Sequence, residues 1–93
     1  MPVLCVVLAT GADGQEIEEV VREAASASPR RRKVVSIGEP DCPPDDRLRE
    51  WCGDNAAPGA LFLRRDGTLS AVLSVDEAKS FPAVQAAFAE AAQ

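Results

Sequence analysis

Histidine is absent from this sequence, and aromatic side chains are scarce. The first absence removes Ser-His and Cys-His nucleophilic catalysis and the imidazole ligands on which zinc sites usually draw. The second, with aromatics at 4% of residues, means that the core has to be built from Val, Leu, Ile and Ala. Cysteine is sparse and odd in number. Cys5, Cys42 and Cys52 do not form the even framework of a secreted disulfide protein, and they lack the close-pair spacing of a zinc site. Long apolar runs are missing as well. The longest, Val3 to Ala9, is too short to cross a bilayer. It has neither a basic segment before it nor a cleavage-like site after it, so it does not read as a secretory signal. Positive charge is in deficit. A net charge of −5 argues against nucleic acid, whose phosphates reward a basic face, and against an anionic membrane surface. These absences predict a cytoplasmic protein with no metal and no cofactor.

What is present fits one small domain. The 93 residues are 46% hydrophobic, enough for a single core and too apolar for a disordered chain. Val3 to Leu8 is a continuous β-branched run, the pattern of a strand buried on both faces. Thr10-Gly11-Ala12-Asp13-Gly14 breaks it. Asp13 is then expected as an N-cap, with Glu16 as its capping-box partner. Ile17, Val20, Val21, Ala24 and Ala25 follow as one helical stripe, and Pro29 is expected to close that helix. Lys33 to Ile37 reads as a second strand. Pro43-Pro44-Asp45-Asp46 opens a short helix with Leu48, Trp51 and Cys52 on its apolar face and Gly53 as its stop.

Ala60 to Leu63 and Leu69 to Leu73 read as a hairpin joined through Asp66-Gly67. Ser74 and Glu77 form a second capping box. The helical pattern after it carries Phe81, Val84, Phe88 and Ala91 on one face, with a break or fresh start at Ser80 and Pro82. The order β-α-β-α-β-β-α predicts an α/β fold. It has a parallel first strand pair, an antiparallel hairpin, and a four-stranded mixed sheet in three layers.

That order resembles the thioredoxin and glutaredoxin superfamily. Ala56-Ala57-Pro58-Gly59-Ala60-Leu61-Phe62-Leu63, followed by Asp66-Gly67-Thr68-Leu69, is similar to the segment where a cis-proline precedes the third strand. The resemblance implies a cis bond at Pro58, with Ala57 and Pro58 presenting backbone to an extended ligand. Redox members carry a nucleophilic cysteine at the start of the first helix, where the helix dipole lowers its pKa. Here Thr10 to Gly14 contain none, and glutamates follow. The chain is most similar to the small Src-homology-3-binding glutamate-rich-like proteins, short glutaredoxin-like domains that generally lack the paired cysteines. Val6 to Ile17, Leu48-Arg49-Glu50, Ala57-Pro58 and Ser74-Val75-Asp76-Glu77 carry the likeness. The proline-rich motif with which that family binds Src-homology-3 domains is not present.

These readings make Thr10, Gly11, Ala57, Pro58, Val75 and Asp76 the candidate ligand groove of a non-catalytic module for a protein or peptide partner. Thiol-disulfide or glutathione-linked chemistry through an atypical cysteine, or a structural role in an assembly, are the alternatives. Glutathione would be held in glutaredoxins by the cis-proline backbone and the start of the last helix. Here Leu73-Ser74 replaces the usual double glycine and Asp76 adds repulsion, so binding no tighter than millimolar is expected. Cys42 is expected to be a plain thiol, raised in pKa by Asp41, Asp45 and Asp46. Cys5 is expected to be buried and inert. Arg30-Arg31-Arg32-Lys33 reads as a solvated loop that complements the negative end of the first helix.

Overall fold

The β-branched run at the start of the chain forms β1 (Val3–Val7), and its side chains are split between two cores. The computed structural model describes residues 2–54 and 57–93. After β1 come α1 (Gly11–Ser26), β2 (Arg32–Ser36), α2 (Asp45–Cys52), β3 (Pro58–Leu63), β4 (Leu69–Ser74), α3 (Val75–Ala78) and α4 (Phe81–Ala91). The strands join in one sheet of order β2-β1-β3-β4. β1 and β2 are parallel, while β1–β3 and β3–β4 are antiparallel. This is a thioredoxin-like topology, with β1 in the interior of the sheet as its apolar run requires.

Strand alternation builds the three layers. Val3, Cys5 and Val7 of β1 and Ala60 and Phe62 of β3 face α1, α3 and α4, where Ile17, Val21, Ala24, Val84 and Phe88 complete the larger core. Val6, Val35, Leu61 and Leu63 point the other way, onto Leu48 of α2, with Trp51, Cys42 and Cys52 packed around them. The two buried phenylalanines, Phe62 and Phe88, meet edge to face at 4.9 Å between ring centroids.

Local signals were followed where no tertiary contact competed with them. Ser74 and Glu77 make the capping box: the Glu77 backbone N–H donates to Ser74 Oγ (3.2 Å), and the Ser74 backbone N–H donates to Glu77 Oε1 (3.0 Å). Ser80 caps α4 and Pro82 stands in its first turn, so the C-terminal helical pattern is two helices. Those bonds, the backbone N–H of Ser74 foremost, hold the Glu77 carboxyl below its ordinary pKa. Its contribution is therefore present above the ordinary carboxylate range and is lost as pH falls through the lowered value. Ser74→Ala is expected to cost about 1 kcal/mol at neutral pH. The gap to the parent chain should narrow in acid, checked by urea unfolding at several pH values.

Two expectations are corrected. Asp13 does not cap α1. The helix begins at Gly11, whose φ of 66° lets the chain turn in early, and Thr10 occupies the N-cap position without a side-chain cap bond. Asp13 lies in the first turn and accepts a hydrogen bond from Lys79 Nζ at 2.8 Å, with Glu16 on the same ammonium at 3.4 Å. A contact 66 residues away in sequence has replaced the local box. Second, Pro58 is not cis, since among the described residues every peptide bond is trans. Ala57, at φ 49°, turns the chain into β3 instead, and Pro58 stands at the first position of the strand, where its missing N–H breaks least of the ladder. Ala56, the first residue of that motif, lies outside the described residues.

Boundaries also move slightly. α1 ends at Ser26, before Pro29, and the second strand spans Arg32–Ser36 rather than reaching Ile37.

Candidate functional site

The topology gathers the chemistry at one end of the sheet. β1 and β2 run parallel, so their C-terminal ends lie side by side, and β3 begins and β4 ends at the same edge. Thr10 and Gly11 follow β1, Ala57 and Pro58 lead into β3, and Val75 and Asp76 follow β4. All six candidate residues therefore belong to this end. Its backbone is tightly drawn together. The Leu8 and Ala9 N–H groups both donate to the Gly59 carbonyl, at 2.9 and 3.3 Å, and Pro58 pairs with Ser74. Gly59 has no room for a side chain: a Cβ there would sit 2.7 Å from the Ser74 carbonyl oxygen and 2.8 Å from the Val75 Cα.

Two hollows open at this edge. One, of about 290 Å³, lies between the ends of β1 and β2 and α2. Leu8, Ile37, Leu48, Cys52 and Pro58 form its apolar lining, and Asp45 and Arg49 contribute charge. The other, of about 270 Å³, is lined by Val7, Ala9, Thr10, Gly11, Gly14, Gln15, Glu18, Ser36 and Ile37. Ile37 borders both. It is 44% exposed, the one large apolar side chain left open to solvent among the described residues. Of the six candidates, Pro58 lines the first hollow and Thr10 and Gly11 the second. Ala57, Val75 and Asp76 line neither.

The groove's main determinants, Leu8, Ile37, Leu48, Arg49 and Cys52, were not among the sequence candidates. One signal was available. Ile37 is an apolar residue at the very end of the second strand pattern, immediately before a glycine, where the chain leaves the sheet.

The thiols are poorly disposed to nucleophilic chemistry. Burial pushes the Cys5 thiol far above its ordinary value. Cys52 is also raised by burial. For Cys42, burial is the largest cause. A backbone hydrogen bond at Gly38 opposes it, and the charges of Asp45 and Glu39 add to it. The expected direction for Cys42 is right, with burial ahead of the acids and Glu39 in place of Asp41 and Asp46. Because the thiolate is the reactive form, each shift lowers reactivity at neutral pH. Among the described residues no cluster of Cys, Asp and Glu has the arrangement to hold a metal ion. No helix of the described residues is long and apolar enough to cross a membrane. No protein family, no curated protein and no solved structure matches this chain.

Proposed function

We propose that this chain is a redox-inactive, glutaredoxin-like binding module, akin to the small Src-homology-3-binding glutamate-rich-like proteins, that takes an extended segment of a protein partner in the groove beside Ile37. The observation that carries the reading is the exposure of Ile37 at the lip of an apolar hollow floored by Leu8, Leu48 and Pro58. Leaving a large apolar side chain in water forgoes about 25 cal/mol per Å² of burial, and a partner's apolar residue would recover it. Ligands of open α/β sheets characteristically lie outside the carboxyl ends of parallel strands, which is where this hollow is. Asp45 and Arg49 also line the hollow, and their opposite charges would give a bound segment direction.

The test is selection of binders from a random peptide library, with an Ile37→Asp variant as decoy. Peptides with a shared apolar anchor that the decoy does not retain are expected to be enriched. Sequences that bind both proteins equally, or no enrichment at all, would count against binding in this groove.

One observation keeps thiol exchange as the second reading: Cys52 lines the groove. With its pKa raised and no cysteine from Thr10 to Gly14, reduction of insulin or of a mixed disulfide is expected at the rate without protein. A rate above background that Cys52→Ser abolished would favour the second reading. Glutathione is expected to bind no tighter than millimolar, with Asp76 opposing its carboxylates.

A further inference from the structure

The basic run Arg30-Arg31-Arg32-Lys33 lies at the entry to β2, at the opposite end of the sheet from the groove. Lys33 is paired, its Nζ 3.0 Å from Asp41 Oδ2. Among the described residues none of Arg30, Arg31 and Arg32 forms an ion pair, in a chain with five more acids than bases. Arg32 is held in place by stacking: its Cζ lies 4.7 Å from the centroid of the buried Phe88 ring. The Arg32 Nε is buried with no hydrogen-bond partner. A buried charged donor without an acceptor is costly and uncommon.

Arg30 and Arg32, two apart at the entry to β2, line one cavity of about 310 Å³ with Ala89, Ala92 and Gln93 at the end of α4. The Arg30 backbone is itself steadied by donating to Ser28 Oγ at 3.2 Å. Glu90, the acid of α4 closest in sequence, is not part of the lining. Neither α1 nor α4 has a basic residue in its last turn, so these arginines do complement two helix ends. The partial charges of helix ends do not neutralise three full guanidinium charges.

We infer that the cavity between Arg30, Arg32 and the end of α4 is a binding site for a small oxyanion of the phosphate class, with the stacked Arg32 guanidinium and Arg30 as its donors. Planar guanidinium groups are matched to two oxygens of such an anion, and the contact with Phe88 restrains one of them. Burial first, and the neighbouring Arg30 charge second, hold the Arg32 pKa below its ordinary value; a bound anion would relieve the second of these.

Titration of the full chain with inorganic phosphate, at ionic strength held constant with chloride, tests the inference. The Nε–Hε resonance of Arg32 and the side-chain amide of Gln93 should shift saturably, and sodium sulfate should compete. Arg30→Gln, at an exposed position, keeps the fold and should weaken binding about tenfold, the loss of one charge-assisted hydrogen bond. Arg32→Lys keeps the charge without the planar fork and should weaken it as much. Shifts linear in phosphate and matched by chloride alone, or saturable binding unchanged in Arg30→Gln, would overturn the assignment.

Discussion

Phe88→Ala is expected to cost about 3–5 kcal/mol of folding free energy. In a domain whose total stability is of the order of 5–15 kcal/mol, that is a large share. Phe88 is wholly buried and stands where several elements meet. Its ring meets Phe62 of β3 edge to face, and on another side it carries the Arg32 guanidinium. An edge-to-face pair adds about 0.5–1.5 kcal/mol beyond burial. The rest of this core is mostly Val, Ala and Ile held on strands and helices, which have little room to collapse into the space, so the cavity contribution should be near the top of its range. Phe81, only partly buried at the start of α4, is the natural control, and its alanine variant should cost distinctly less. Urea unfolding of the three proteins makes the comparison. Equal losses for the two variants would mean that the core is not centred on the Phe62–Phe88 pair.

Ile37→Asp should cost about 1 kcal/mol of stability, because the residue is 44% exposed and gives up only part of its burial. Its effect on a selected peptide should be large. A carboxylate placed at the shared border of the two hollows would have to be desolvated by any apolar anchor that docks there. A loss of about tenfold or more in affinity is expected, equivalent to about 1.4 kcal/mol. Ile37→Val, which keeps the apolar character and removes one methylene, should lose far less. Isothermal titration with the same peptide reads all three proteins. An Asp variant that binds as tightly as the parent chain would remove Ile37 from the binding surface.

The sequence made the fold legible where burial and short-range chemistry agree. Val3 to Val7 and Ala60 to Leu63 are apolar on both faces, and both became interior strands. Ser74 and Glu77 are three residues apart with nothing else in reach, and their box formed as read. Asp13 and Glu16 have the same spacing, yet Lys79 lies between the two carboxylates in the folded chain and takes both. No local pattern announces that contact. Pro58 carried the superfamily signature, but an isolated Ala-Pro step is compatible with either isomer, and the left-handed backbone at Ala57 settled the chain direction with a trans bond. The candidate site was legible as a region, since Thr10, Pro58 and Asp76 all follow from which strand ends share an edge. Its floor was not. Leu8, Leu48 and Cys52 look like ordinary core residues in the sequence, and only the packing of α2 against the ends of β1 and β2 leaves a hollow between them. Arg32 was equally opaque, because its partner is an aromatic face more than fifty residues away.

Whether the apolar groove beside Ile37 receives the partner is decided by amide shifts on the isotopically labelled domain during titration with a selected peptide. The largest changes are expected at Leu8, Ile37, Leu48 and Cys52, with smaller ones at Thr10 and Gly11 and none along the outer edge of β4. Changes concentrated on β4 or on the exposed face of α1, with Leu8, Ile37 and Leu48 unmoved, would contradict docking in this groove.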